Sequence, residues 1–221
     1  MTTTVLVVDD ESITREAVVE FVSSDPEIVV VGESADGRVA IGQTRALSPD
    51  VVLMDMQMPV MDGVEATRII RREFPDTAVI ALTTFSSERY VVPVLRAGAS
   101  GYLLKDARPQ EIIAAIRTVR DGGSILSPAV TRHVVAGIAQ SVPAQPVPDP
   151  ELTAALTEKE IEVIQLLAQG MSNREMAEAL FVTESTIKAR FGKVTEKLGV
   201  RDRVQVLVKA TERGLVRIRV S

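Results

Sequence analysis

The chain has 221 residues, of which 46% are hydrophobic, 25% charged and 3% aromatic, a composition typical of folded globular proteins. It contains no cysteine, which excludes disulfides, thiol catalysis and thiolate metal sites. No apolar run approaches the roughly 20 residues needed to span a bilayer. The N-terminus lacks the features of a signal peptide, so we expect a cytoplasmic protein.

Charge is distributed unevenly along the chain. Residues 1–120 carry 12 Lys and Arg against 18 Asp and Glu, a net charge of -6. Residues 185–221 carry 10 Lys and Arg against 3 Asp and Glu, a net charge of +7. This asymmetry predicts two domains, of which only the second binds a polyanion.

The first 120 residues alternate between short apolar runs and helix-compatible segments. Such alternation predicts an α/β fold with a five-stranded, doubly wound parallel sheet of the flavodoxin-like class. The runs occupy residues 4–8, 28–31, 51–54, 79–82 and 101–104, and the helical segments occupy residues 13–23, 38–47, 64–74, 88–97 and 109–120.

Chemically active side chains follow four of these predicted strands. Asp9 and Asp10 follow the first and Asp55 the third, and the fourth and fifth are followed by Thr83 and Lys105. The carboxyl ends of parallel strands meet at one edge, where ligands of such sheets bind. Three clustered carboxylates repel unless a cation offsets their charge, and all-oxygen ligation suits Mg²⁺. Lys105 and Thr83 are then placed to contact phosphate oxygens.

Alternative interpretations of these residues differ in strength. Each residue alone is equally compatible with a turn, a helix cap or a surface position, and only their coincidence at four strand ends favours a site. A nucleotide or flavin binder of the same fold requires a glycine-rich or hydroxyl-rich loop, where this chain has Asp9-Asp10-Glu11. An aspartyl-phosphate hydrolase requires a second acid two residues after the nucleophile, where this chain has Gln57.

Residues 4–121 resemble the receiver domain of two-component response regulators. The matching motifs are Val-Val-Asp9-Asp10-Glu11, Leu-Met-Asp55-Met-Gln-Met-Pro59 with Asp62-Gly63, Ala-Leu-Thr83-Thr84, Ala97-Gly98-Ala99 and Gly101-Tyr102-Leu-Leu-Lys105. The resemblance implies that Asp55 accepts a phosphoryl group from a partner sensor histidine kinase. It also implies that Mg²⁺ is bound by Asp10, Asp55 and the backbone carbonyl of Gln57, with Asp9 acting directly or through water. Thr83 and Tyr102 would form the switch pair that senses the phosphoryl group.

The sequence between the two predicted domains is typical of a linker. Ser127-Pro128 predicts a helix that continues to about residue 139 and carries His133, which we interpret as a surface or packing residue. Four prolines follow within residues 141–150, which predicts a semi-rigid linker. We therefore predict a receiver domain at 1–121, a helix and proline-rich linker at 122–150 and a DNA-binding domain at 151–221.

The C-terminal part has the spacing of a small all-α helix-turn-helix domain. Thr157, Ser172 and Thr183 are suited to cap helices, the first two through capping boxes, and predict helices at about 158–169, 173–180 and 184–198. A fourth helix at 202–213 carries Val204, Leu207 and Val208 on one side, which pack within the domain or face a twin subunit. Of these two arrangements, we predict that the three residues form a dimer face.

The third of these helices is predicted to dock in a DNA major groove. Its outer face presents Ser185, Lys188, Ala189, Lys193 and Lys197, with Arg190 nearer the flank. A basic face of this kind is also common on helices that face only solvent. The tight preceding turn and the local excess of positive charge favour DNA, whereas the lack of aromatic residues for base stacking on the outer face argues against single-stranded RNA.

Residues 152–216 resemble the LuxR-type helix-turn-helix. The matching residues are Leu156-Thr157, Glu160, Leu167, Gly170, Ser172-Asn173, Glu175, Ala177, Leu180, Thr186-Ile-Lys188, Lys197-Leu-Gly-Val200 and Arg201-Asp-Arg203. A receiver followed by this module is similar to response regulators of the NarL/FixJ class. The sequence departs from the usual pattern at Arg190, where His is frequent, and at Gly192, where a close backbone approach is one explanation.

The resemblance implies a transcriptional regulator and not an enzyme. Such a regulator would bind double-stranded promoter DNA as a homodimer, with Thr186, Arg201 and Arg203 among its DNA contacts. The alternative is a phosphorylation-independent regulator in which the receiver serves only as a protein-interaction module. The intact set of Asp55, Thr83 and Lys105 argues against that alternative.

Overall fold

The computed structural model describes residues 2–83, 90–121, 123–126 and 150–216. The chain divides into two compact units, residues 1–125 and 126–221, which we describe separately. The predicted helix at 127–139 and residues 141–149 of the predicted linker lie outside the described residues.

The first unit is a parallel sheet flanked by helices, as the alternating sequence pattern predicts. Its strands lie in the order β2-β1-β3-β4-β5, and each neighbouring pair is parallel. The strands are β1 (Thr3–Val8), β2 (Ile28–Ser34), β3 (Val51–Asp55), β4 (Ala78–Thr83) and β5 (Gly101–Leu104). The described helices of this unit are α1 (Ser12–Ser23), α2 (Gly37–Leu47), α3 (Gly63–Glu73), α4 (Val91–Arg96) and α5 (Pro109–Arg120).

The centre of the sheet is apolar on both faces because helices cover each side. Every residue of β3 and β4 is buried, which is typical of central parallel strands. On one face, residues of β1, β3 and β4 pack against α1 and α5 in one cluster, which includes Val5, Leu53, Ile80 and Ile116. This packing fixes the strand ends where the candidate site lies.

The strand register brings the acidic residues together. Val8 of β1 pairs with Met54 of β3, so Asp9 and Asp55 follow neighbouring positions on adjacent strands. The direction of strand order reverses between β1 and β3, and ligands of such sheets bind at that switch point.

The second unit is helical, and its helices are α6 (Pro150–Ala155), α7 (Glu158–Ala168), α8 (Asn173–Ala179), α9 (Glu184–Leu198) and α10 (Arg203–Glu212). Thr157, Ser172 and Thr183 cap α7, α8 and α9 through their side chains, as predicted. Helix α9 ends at Gly199, which has a left-handed φ of 60°. Helix α6 is not among the predicted helices, because Pro150 was assigned to the linker, although proline suits the first position of a helix.

Candidate functional site

The acidic side chains at the ends of β1 and β3 form one cluster. Asp9, Asp10 and Asp55 each place a carboxylate oxygen within 4.8 Å of the others. Asp9 and Asp55 are buried, whereas Asp10 is exposed, so the cluster opens to solvent on one side. The cluster therefore combines two desolvated carboxylates with one that a diffusing ligand can reach.

Lys105 supplies the positive charge that offsets the two buried acids. Its Nζ lies 2.7 Å from Asp9 Oδ2 and 3.1 Å from Asp55 Oδ2. Its backbone N–H donates to the carbonyl of Thr83 at 2.7 Å, which anchors the residue beside β4. Strand ends far apart in sequence thus converge on one ammonium group.

The surroundings of the acid cluster shift the pKa values of both Asp55 and Lys105. Burial raises the pKa of Asp55 above its ordinary value, against the opposing charge and hydrogen bond of Lys105 and the backbone N–H of Gln57. Burial by itself lowers the pKa of Lys105, but the hydrogen bond to Asp9 and the charges of Asp55 and Asp9 raise it above its ordinary value. Lys105 is therefore stabilised in its protonated form. A further cation near Asp55 would stabilise the ionised form of that carboxyl group.

Thr83 and Tyr102 lie on adjacent strands near this cluster. Both residues are buried, Thr83 at the end of β4 and Tyr102 within β5. Tyr102 pairs with Ala81, so Thr83 lies two residues further toward the strand ends. Gln57 follows β3 in an exposed loop.

Two contacts that support the site could not be predicted from the sequence. Arg15 of α1 donates from Nη1 to the backbone carbonyl of Asp9 at 2.7 Å and pairs with Glu33. Gly63 begins α3 so close to β3 that a Cβ there would overlap the carbonyl oxygen of Asp55. The Asp62-Gly63 pair was noticed in the sequence, but its contact with Asp55 depends on tertiary packing that no local pattern encodes.

The second unit presents a basic helix face. The inner face of α9 is buried through Ile187, Phe191, Val194 and Leu198. The predicted outer residues Ser185, Lys188, Ala189 and Lys193 are exposed, and Arg190 and Thr186 are half-buried on the flanks. The exposed acid Glu196 also lies on this helix, in its last turn.

Comparison with known proteins identifies the family. Residues 5–117 match the response regulator receiver domain, and residues 154–210 match the bacterial regulatory proteins of the luxR family. The transcriptional regulatory protein LiaR of Bacillus subtilis is 39% identical over 96% of this chain and 98% of its own length. The transcriptional regulatory protein DegU of Brevibacillus brevis is 35% identical over 97% of this chain and 95% of its own length.

The chain is a response regulator of the NarL/FixJ class. Its homologues are transcriptional regulators, so the resemblance stated from the sequence is confirmed. A similar solved structure is that of the response regulator ChrA of a heme-sensing two-component system. It is 32% identical, with a TM-score of 0.54, over 97% of this chain and 98% of its own. Among the described residues of the response regulator, no helix is long and apolar enough to cross a membrane.

The predicted dimer face of this response regulator is wrong. Val204, Leu207 and Val208 are 1%, 0% and 5% exposed, because α10 packs them against α7 and α9 in its own domain. Side chains buried in this way contribute to the core of the unit and are not available to a second subunit. The apolar side of α10 is thus explained within the chain.

Two predicted DNA contacts of the response regulator have partners within the second unit. The Arg203 guanidinium donates to the carbonyl of Met171 at 2.9 Å and lies 5.5 Å from the centre of the Phe191 ring. Lys197 Nζ lies 2.7 Å from the buried carboxylate of Glu160. The Arg203 and Lys197 side chains therefore also hold helices of this unit together. Lys197 is exposed and Arg203 half-buried, and their contacts with DNA stay predictions. Arg201 is exposed.

Proposed function

We propose that phosphorylation of Asp55 by a partner sensor histidine kinase switches promoter binding by this response regulator. The observation that carries the proposal is the position of the Asp55 carboxylate, within reach of Lys105 and of two further acids. Phosphoryl transfer depends mainly on positioning and on neutralisation of charge, and both are provided by side chains around Asp55.

The covalent step uses residues of this chain in defined roles. A carboxylate oxygen of Asp55 attacks the phosphorus of a phosphohistidine, the new O–P bond forms, and the P–N bond breaks. The electron pair of that bond returns to the imidazole of the kinase, which recovers a proton. Lys105 and the Thr83 hydroxyl stabilise the phosphoryl oxygens, and Tyr102 responds to the position of Thr83.

The donor set around Asp55 fits Mg²⁺. All candidate ligands are oxygen atoms, two of the carboxylates are buried, and one lysine alone leaves their negative charge only partly offset. Asp10, Asp55 and the backbone carbonyl of Gln57 would hold the ion, with Asp9 acting directly or through water. When bound, the ion neutralises charge on the carboxylates and on the phosphoryl group.

The second unit provides the output as a DNA-binding module. The exposed side of α9 carries Lys188 and Lys193 beside small side chains, an arrangement suited to a major groove. A homodimer would engage two half-sites about one helical turn apart. The output of phosphorylation is then a change in transcription, and the chain has no enzymatic product of its own.

Labelling by a phosphoryl donor tests this proposal. Full-length wild type, Asp55→Asn and the exposed control Asp76→Asn are incubated with radiolabelled acetyl phosphate, with Mg²⁺ or with chelator. We expect Mg²⁺-dependent labelling of wild type and Asp76→Asn and none of Asp55→Asn, because an amide is not a competent nucleophile. Labelling of Asp55→Asn equal to that of wild type would show that Asp55 is not the phosphorylated residue. Absence of label on wild type, with DNA binding intact, would favour a phosphorylation-independent regulator.

A further inference from the structure

Gly192 lies inside the recognition helix α9, where its presence opposes helix stability. Glycine is among the least favourable residues inside a helix because it gains no side-chain contact and loses the most backbone freedom. Gly192 is exposed, and a Cβ built on it has no atom of the chain within 4 Å. The packing of its own domain therefore provides no reason for the missing side chain.

At several other glycines among the described residues, the packing or the backbone conformation of the chain itself requires glycine. A Cβ at Gly37 would lie 2.8 Å from the Cβ of Ala66, and Gly63 abuts the backbone of Asp55. Gly98 and Gly199 have φ values of 107° and 60°, which favour glycine. Only Gly42 of α2 resembles Gly192, because it is also exposed, helical and surrounded by open space.

Helix geometry places Gly192 among the predicted base-reading residues. Positions three and four apart share a helix face, so Gly192 is one turn beyond Ala189 and Lys188. Its carbonyl accepts a hydrogen bond from the Thr195 hydroxyl at 2.8 Å, which keeps that polar side chain next to the backbone. The middle of the outer face consequently has no long side chain, and Lys188 and Lys193 lie on either side of it.

We propose that Gly192 is the point where α9 approaches DNA most closely, and that its missing side chain sets the depth of the helix in the groove. This inference rests on the proposed DNA-binding function. Glycine inside an element commonly marks a place where a ligand approaches the backbone. A side chain at 192 would hold the helix away from the base edges and lengthen the contacts from Ser185 and Lys188. The flexible lysines could still reach phosphates.

The test separates helix stability from DNA affinity in the full-length protein. A duplex is first selected from a random-sequence pool by wild type, and a scrambled duplex serves as the non-specific ligand. The variants are Gly192→Ala and Gly192→Leu, with Gly42→Ala and Gly42→Leu as controls at the other open helical glycine. Binding is measured by fluorescence anisotropy, and unfolding by differential scanning calorimetry.

We expect opposite effects on stability and on specific binding at Gly192. Both alanine variants should raise the melting temperature of their own domain by about 2–6 °C, since alanine is the better helix former. Gly192→Ala should weaken binding to the selected duplex by about 5-fold to 100-fold, and Gly192→Leu more, with little change on scrambled DNA. The Gly42 variants should bind like wild type.

The outcomes distinguish this inference from the function on which it rests. If Gly192→Ala and Gly192→Leu bind the selected duplex within about twofold of wild type while Lys188→Ala binds weakly, the groove-depth inference is wrong and the docking face stands. If wild type selects no sequence and Lys188→Ala has no effect, the DNA-binding proposal itself fails. Equal loss on selected and scrambled DNA would also overturn the inference, since depth affects base contacts and not phosphate contacts.

Discussion

The Lys105 ammonium lies 3.1 Å from the Asp55 carboxylate and joins the end of β5 to the acidic end of β3. Removing it takes away the ammonium group that pairs with the buried carboxylates of both Asp9 and Asp55. We therefore expect Lys105→Ala to destabilise the receiver by about 3–5 kcal/mol, because breaking a buried ion pair leaves an uncompensated charge. Chemical denaturation of the full-length chain at neutral pH measures the change.

A matched pair of controls separates charge from shape in that experiment. Lys105→Arg keeps the positive charge, and Lys159→Ala removes an exposed lysine from α7. We expect smaller losses of stability for Lys105→Arg and almost none for Lys159→Ala. Added Mg²⁺ should return part of the stability of Lys105→Ala, since ion binding favours the folded state. Unchanged stability of Lys105→Ala would contradict the ion-pair account.

The side of α10 that faces inward provides a second prediction. Leu207 is fully buried, so Leu207→Ala should lower the free energy of unfolding of the second unit by about 2–5 kcal/mol. The exposed control Glu162→Ala should change it little. A Leu207→Ala variant that keeps its melting temperature but loses self-association, measured by analytical ultracentrifugation, would restore the dimer face that the structure rejects.

Hydrophobic spacing identified α10 but could not identify its partner. A stripe formed by Val204, Leu207 and Val208 looks the same whether it packs within a domain or against another subunit. The positively charged residues pose the same problem, because Lys197 and Arg203 resemble DNA contacts in sequence. Their partners within the unit, Glu160 and Met171, are more than 30 residues away in sequence and become visible only in the fold.

The acid cluster was predictable for a physical reason. Parallel strands bring their carboxyl ends to one edge, so the positions of Asp9, Asp55 and Lys105 after three apolar runs sufficed to place them together. The support given by Arg15 and Gly63 was not predictable, because it depends on how α1 and α3 dock. The local sequence pattern and the sheet topology thus identify which residues form the cluster. The contacts that support the cluster depend on tertiary packing.

The Glu160 carboxylate gives the second unit a defined response to acid. Burial by itself raises the pKa of Glu160, but hydrogen bonds from Lys197 and Thr157 outweigh it and hold the pKa below its ordinary value. A carboxyl group with a lowered pKa stabilises the folded state above its unfolded pKa, and this contribution is lost as pH falls through the folded value.

Glu160→Gln tests that response because glutamine retains the capping-box shape without the charge. At neutral pH the variant should melt at a lower temperature than wild type. The difference should begin to shrink as pH falls below about 4.5, where the carboxyl group of the unfolded chain takes up a proton, and should vanish below the lower pKa of the folded chain. Glu162→Gln, at an exposed position of the same helix, serves as the control. A difference that stays constant across this pH range would show that the Glu160 charge contributes nothing to stability.

The two sides of α9 provide a further prediction about recognition. Lys188 is exposed and Arg190 is half-buried. Lys188→Ala and Arg190→Ala should each weaken binding to the selected duplex. Loss of a residue that reads a guanine edge should cost about 1–3 kcal/mol of binding free energy and relax specificity at one base pair. Loss of a phosphate contact should instead reduce the salt dependence of binding. Titrations of matched and mismatched duplexes at two salt concentrations separate these cases. No effect from either substitution would contradict the docking face.

A phosphoryl group on Asp55 should increase the affinity of the full-length chain for DNA, and a titration with a phosphoryl mimic measures this change. The full-length chain is titrated against the selected duplex in Mg²⁺, with and without beryllofluoride as a phosphoryl mimic, for wild type and for Asp55→Asn. We expect wild-type affinity to rise by about 5-fold to 100-fold, within the usual range of coupling between sites, and Asp55→Asn to be unresponsive. Equal wild-type affinity in both conditions, with beryllofluoride binding verified by fluorine NMR, would contradict the account.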